Sequence, residues 1–159
     1  MKTVFILILS FVSISFSQIV EEEKLNLLID SWHKAAEIAD KESYFNFMDE
    51  EGIFLGTDAT ERWTKKEFFK WSSPHFDKAP AWILTPIRRE IMMSKDKKFA
   101  WFDEDLNTGM GPCRGSGVLV KKGNIWKLVH YNLALTIPNE AIEEIRPIVR
   151  EKVTTQQQK

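Results

Sequence analysis

The chain has 159 residues, of which 43% are hydrophobic and 28% charged, a composition typical of a globular domain with a real core. Its formal net charge is −1 and no basic block is present, which argues against nucleic acid as a partner. The single cysteine, Cys113, excludes an internal disulfide, and we expect it to be a small buried residue rather than a reactive thiol. With only three histidines, no metal-ligand spacing is visible, and no metal or other cofactor is predicted.

The first 17 residues have the three-part layout of a secretory signal peptide. Lys2 precedes an apolar run over 4–16, and small residues stand just before position 18. The run is shorter and richer in serine than a typical membrane span, and the alternative to a signal peptide is a membrane anchor that is not cleaved. We therefore predict an exported protein, periplasmic or secreted, with one domain over 18–150 and a disordered polar tail over 151–159.

Two helices are predicted before the first strand. Apolar residues recur at helical spacing through 21–40, and Asp40 suits the N-cap of a second, short helix that ends at Gly52. Residues 53–55 are a short apolar run typical of a strand, and a turn-rich loop follows them.

A third helix is predicted from a capping box. Thr64 and Glu67 have the required spacing, and the aromatic residues that follow favour a helix over 65–72. The run 82–93 then has the composition of a strand, and Pro86 within it indicates a sheet edge or a bulge.

The centre of the predicted sheet is a hairpin over 99–120, followed by a long strand over 125–136. We place the hairpin in a register that pairs Leu106 with Pro112. A last helix is predicted from Asn139, and its internal proline is expected to kink or end it.

This register assigns each side chain of the hairpin to a face of the sheet. Glu104 lies opposite Arg114 on the outer face, where the two form an ion pair within a dimer interface. Asp103 lies opposite Gly115 on the inner face, and Tyr131 falls next to that glycine. A carboxylate beside empty volume is a feature of small-molecule pockets. A slip of one residue would exchange the two faces.

Helices followed by strands with short turns predict an α+β fold. We expect a curved antiparallel sheet wrapped around N-terminal helices, which gives a cone with an apolar mouth.

The segments that carry a family resemblance are 31–33, 54–63, 100–104, 114–120 and 123–132. Together they resemble the SnoaL-like branch of the nuclear transport factor 2-like superfamily, over about residues 25–138. The resemblance implies a cone-shaped fold with a deep cavity, usually in a dimer. Members include polyketide cyclases, ketosteroid isomerase, dehydratases and binding proteins without chemistry, so the fold alone does not give the function.

The resemblance places functional groups on the inner face, where Asp103 is our candidate general base and Tyr131 its hydrogen-bond donor. A carboxylate in an apolar cavity has a raised pKa suited to that role. The alternative is that Asp103 is a structural or rim carboxylate bonded to Tyr131 or Trp63.

The candidate ligand-binding residues are Phe54, Trp63, Trp82, Trp101, Val129 and Arg114. The aromatic members could instead be plain core, and Arg114 would reach the cavity only after a register slip. Thr57, Asp58 and Glu61 could form the mouth or simply suit turns.

The favoured hypothesis is a homodimeric protein that binds a small, largely apolar molecule without chemistry. The alternatives are a cofactor-independent isomerase, cyclase or dehydratase that uses Asp103, and a structural, envelope-associated dimer.

Overall fold

The computed structural model describes the backbone of residues 2–157 and the side chains of residues 20–155. The helices are α1 (Lys2–Glu37), α2 (Lys41–Phe47), α3 (Lys65–Ser72) and α4 (Ile142–Gln157), and 3₁₀ turns cover Ser73–Asp77 and Asn139–Ala141. The strands are β1 (Met48–Leu55), β2 (Arg62–Thr64), β3 (Leu84–Met93), β4 (Phe99–Thr108), β5 (Gly111–Lys122) and β6 (Ile125–Leu135). The side chains of the predicted signal peptide, 1–17, lie outside the described residues.

The six strands form one sheet in the order β2-β1-β6-β5-β4-β3. Strands β3 to β6 pair antiparallel with their chain neighbours, as short connections require. Strand β1 pairs antiparallel with β2 and parallel with β6, so the sheet is mixed. The α+β class with helices before the long strands is confirmed.

Local signals place two of the helices where the sequence predicts them. Asp40 caps α2 by accepting a 3.0 Å hydrogen bond from the backbone N–H of Ser43. The capping box of α3 is complete, because Thr64 accepts from the backbone of Glu67, and the Glu67 carboxylate accepts from Thr64. These contacts span three residues, so they can be predicted from the local sequence.

Three other boundaries differ from the predictions. Gly52 does not end a helix, because it lies inside β1. Asn139 makes no side-chain cap, and α4 begins at Ile142 and continues through Pro147. That helix extends to Gln157 through most of the segment predicted to be disordered, and residues 158–159 are outside the described part.

The predicted register of the central hairpin is wrong by one residue. The turn contains only Gly109 and Met110, so Thr108 pairs with Gly111 and Leu106 pairs with Cys113. The prediction assumed a longer loop. Because side chains alternate along a strand, this slip exchanges the two faces of β4 relative to the prediction.

A bulge in β6 changes which of its side chains face the core. The β5 pairing passes from Val118 with His130 to Leu119 with Leu128, which leaves Val129 without a partner. The buried side chains before the bulge are Trp126 and Leu128, and those after it are Tyr131 and Leu133.

The core lies between α1 and the inner face of the sheet. Leu25, Ile29 and Trp32 recur along one face of α1 and are almost fully buried. The ring of Trp32 stacks on Tyr44 at 5.0 Å and meets Tyr131 edge-on at 4.8 Å. Within the described residues, no helix is long and apolar enough to cross a membrane.

Candidate functional site

An aromatic cleft of about 630 Å³ opens at one end of the sheet. Its walls come from β1, β2 and α3 on one side and from the start of β3 on the other. The turn between β4 and β5 forms part of the rim. The apolar lining residues are Phe54, Trp63, Phe68, Trp71, Pro80, Trp82, Ile83, Leu84, Met110 and Leu133. This volume and this lining are typical of sites for small molecules.

Stacked rings form the first wall of the cleft. Phe68 stacks on Phe54 with 4.0 Å between centroids and on Trp63 with 5.5 Å. Trp63 also stacks on Trp71 at 4.7 Å. The capping box fixes the start of α3, and so it sets the positions of Phe68 and Trp71 in this wall.

Two loops meet at the mouth of the cleft. The hydroxyl of Thr57, between β1 and β2, donates to the sulfur of Met110 in the β4–β5 turn at 3.8 Å. Glu61 also lines the cleft, and it precedes β2 by one residue. Alternation along the strand places Glu61 on the same side as Trp63.

The cleft contains three of the six residues predicted to bind a ligand, namely Phe54, Trp63 and Trp82. Of the other three, Trp101 pairs with Val118 on the exposed outer face. Arg114 lies on the same face and contacts Asp105 at 3.4 Å. Val129 occupies the bulge of β6 and does not line the cleft.

The predicted placement of Asp103 on the inner face is also wrong. Asp103 pairs with Ser116 rather than with Gly115, and its side chain is 38% exposed. It accepts a 2.8 Å hydrogen bond from Arg88, which also binds Asp105. The argument for Asp103 as a general base depended on an inner position beside Tyr131, so it loses its geometric basis.

The inner carboxylate is Glu104, which is fully buried. Its Oε1 atom lies 2.9 Å from Nε2 of His33 and 2.9 Å from the hydroxyl of Tyr131. Its Oε2 atom accepts from Nε of Arg89 at 2.9 Å, and Nη2 of Arg89 is 2.8 Å away without hydrogen-bond geometry. The predicted ion pair between Glu104 and Arg114 therefore does not form.

These neighbours keep Glu104 ionised. Burial on its own raises the pKa of Glu104, but His33, Arg89 and the hydroxyl of Tyr131 together lower it below the ordinary value. The pKa of Tyr131 is raised well above its ordinary value, by burial first and then by the charge of Glu104. The phenol therefore stays protonated and donates to the carboxylate.

The polar network also fastens α1 to the sheet. Nη1 of Arg89 in β3 donates to Asp30 in α1 at 2.8 Å, and His33 is one turn further along that helix. Nδ1 of His33 is buried with no hydrogen-bond partner among the described side chains. A buried carboxylate with this many donors suits a structural role better than proton abstraction.

Cys113 is 2% exposed, as predicted, and its sulfur lies 3.5 Å from the hydroxyl of Thr108. In the part of the chain that the structure describes, no group of three His, Cys, Asp or Glu side chains could hold a metal ion.

Sequence reasoning missed several residues of the cleft, among them Phe68, Trp71 and Met110. The first two could have been found from the capping box, because it fixes which residues of α3 share a face. Met110 gave no local signal, since its position at the mouth depends on the two-residue turn.

A six-stranded sheet that covers a long helix and opens into an aromatic cleft defines an α+β protein with a pocket at one end of its sheet. The profile of the SnoaL-like domain matches residues 25–138, so the chain belongs to the SnoaL-like domain family. No curated protein sequence matches the chain significantly.

Solved structures agree on the fold. An NTF2-like protein of unknown function from Pseudomonas putida superposes with a TM-score of 0.65 at 11% identity, over 77% of this chain and 91% of that one. A candidate dehydratase of the NTF2-like family from Streptomyces avermitilis gives 0.63 at 11% identity, over 75% and 98% of the two chains. The association domain of CaMKII from C. elegans gives 0.61 at 14% identity, over 75% and 98%. At these identities the similarity concerns the fold alone.

Proposed function

We propose that this protein binds a small, largely apolar molecule in the aromatic cleft. The observation that carries the proposal is an apolar cavity of about 630 Å³ at one end of the sheet. Its lining offers aromatic faces and a few polar groups, and that combination holds and orients small ligands. The buried carboxylate of Glu104 is fully paired, which favours binding over acid–base chemistry.

The first test is native mass spectrometry of the protein purified under gentle conditions from its own compartment. A defined small mass carried by the protein is expected. The glycine at position 109 offers a matched test, because a side chain added there meets open space at the cleft. Gly109→Trp should block the cleft and remove the bound mass, whereas Glu23→Trp at an exposed position of α1, outside the cleft, should retain it.

An empty protein that also binds no apolar probe would contradict the proposal. It would favour the structural, envelope-associated role instead. Intrinsic tryptophan fluorescence reports probe binding directly, because Trp63, Trp71 and Trp82 line the cleft.

The proposal includes a homodimer formed through the outer face of the sheet. Phe99 and Trp101 are 49% and 44% exposed there, and each pairs with a valine of β5. Such neighbouring apolar groups favour burial against a second copy of the chain. Light scattering should give twice the mass of the chain, and Trp101→Glu should give a monomer. A monomeric mass for the unchanged protein at micromolar concentration would remove this part of the proposal.

The proposal also includes export, on the basis of the signal-peptide pattern in residues 1–17. N-terminal sequencing of the protein from extracytoplasmic fractions should start near position 18. A full-length chain confined to the cytoplasm would contradict export without affecting ligand binding.

A further inference from the structure

The aromatic cleft carries negative charge only. Glu61 is the only ionisable side chain among the residues that line it, and no lysine, arginine or histidine is among them. None of the ion pairs between described residues involves Glu61. Among the described residues, the cleft therefore contains a carboxylate that forms no ion pair with a cationic side chain.

The Glu61 carboxylate is also held in position. Its Oε2 accepts a hydrogen bond from the backbone N–H of Asp58 at 3.1 Å. The side chain folds over Gly56, where any Cβ would overlap that oxygen. The backbone closes the same loop, because Gly56 N–H donates to the Glu61 carbonyl at 2.9 Å. Little side-chain freedom is then left to lose when a ligand binds.

Aromatic faces line the same cleft as this carboxylate. Trp63 follows Glu61 by two residues on the same side of the chain, and its ring belongs to the stacked wall with Phe68 and Trp71. Ring faces carry negative potential and attract cations, most strongly those of tryptophan. A neutral ligand that covers Glu61 would take its charge out of water without compensation, whereas a cation would pair with it.

From the carboxylate and the rings together we infer that the ligand is a small lipophilic cation, an ammonium group attached to an aryl or alkyl body. This inference rests on the proposed function of the cleft. It places the ammonium group at Glu61 and the apolar body between the stacked wall and Trp82.

The test compares isosteric probes by tryptophan fluorescence. A series of phenylalkyl trimethylammonium ions is titrated beside the neutral tert-butyl analogues and the corresponding carboxylates. The cations should bind at least about tenfold more tightly than the neutral probes, and the anions most weakly. In Glu61→Gln the preference for the cation should disappear while the neutral probes bind as before. The amide oxygen can still accept from Asp58, so circular dichroism should be unchanged. Glu23→Gln removes the same charge from an exposed position on α1 and should keep the preference.

The outcomes separate this inference from the proposed function. Equal binding of cations and neutral probes, or a cation preference that survives in Glu61→Gln, would overturn the inference and leave the cleft as an apolar site. If no probe of any charge bound at millimolar concentration, both the inference and the proposed function would fail.

Discussion

The hydroxyl of Tyr131 donates a 2.9 Å hydrogen bond to Oε1 of Glu104, although 27 residues separate them in the chain. Both groups lie over Gly115, where any Cβ would overlap the phenol. The predicted row of Asp103, Gly115 and Tyr131 does not form, because Gly115 pairs with Leu133 and Tyr131 pairs with Gly117, and the phenol reaches over Gly115 from the next row. The carboxylate is Glu104 rather than Asp103, and it belongs to the core rather than to the cleft.

Replacement of Tyr131 by phenylalanine should lower the stability of the fold. The change removes one hydrogen bond to a buried ionised group, which contributes about 1.5–3 kcal/mol. Urea unfolding should show this loss in the free energy of unfolding, with an unchanged m-value. Ser116→Ala, which removes a hydroxyl from the outer face, should change stability by no more than about 0.5 kcal/mol. Equal stabilities of Tyr131→Phe and the unchanged protein would show that the hydrogen bond has no net effect.

The stability of the protein should fall in acid partly because of Glu104. Its pKa is lower in the folded state, so its contribution is complete above its unfolded pKa. That contribution should be lost as the pH falls below about 4.5 and through the folded pKa. Thermal unfolding between neutral and acid pH should therefore show a shallower acid decline for Glu104→Gln than for the unchanged protein.

The same variant should be less stable at neutral pH, by up to about 3–5 kcal/mol, because among the described residues it leaves the buried Arg89 paired only with the half-exposed Asp30. Glu23→Gln removes an exposed charge and should give a curve parallel to that of the unchanged protein. If the curve of Glu104→Gln were also parallel, the acid sensitivity would have to come from other carboxylates.

Gly115, within β5, and Gly109, in the turn before it, should respond differently to substitution by alanine. At Gly115 a Cβ would overlap the Tyr131 hydroxyl and lie 2.8 Å from Oε1 of Glu104, so Gly115→Ala should destabilise by about 1–3 kcal/mol. At Gly109 nothing lies within 4 Å, and Gly109→Ala should be neutral or slightly stabilising. Chemical unfolding of both variants measures the difference. Unchanged stability of Gly115→Ala would mean that the Tyr131 hydroxyl and the Glu104 carboxylate can move away from position 115.

The thiol of Cys113 should be unreactive in the folded protein. It is 2% exposed and packs beside Thr108, so a thiol reagent has no access to it. A colourimetric thiol assay should show reaction only after denaturant is added, at a rate limited by unfolding. Fast reaction under native conditions would indicate that the β4–β5 end of the sheet opens locally.

Several features could be predicted because they depend on nearby residues. The capping box at Thr64 and Glu67 and the N-cap at Asp40 involve contacts over three residues. The position of Pro86 at an edge strand follows from its missing N–H. Phe54 and Trp63 could be predicted as cleft residues because Phe54 lies in a short apolar strand and Trp63 directly precedes the capping box.

The faces of the central strands could not be predicted in the same way. A turn of two residues instead of a longer loop moves every residue of β4 to the opposite face. The bulge at Val129 brings Trp126 and Tyr131, five residues apart, to the same buried side. Neither the turn nor the bulge has a distinct signal in the sequence.

The sequence by itself determined the α+β class and the starts of α2 and α3, because these depend on composition, periodicity and short-range hydrogen bonds, and its motifs carried the resemblance to the family. Only the tertiary structure decided that Glu104 is buried with His33, Arg89 and Tyr131 while Asp103 is exposed. These two carboxylates are neighbours in the chain with nearly the same chemistry. The register of one hairpin separates them, because it sets which side chain leaves water and which partners it then meets.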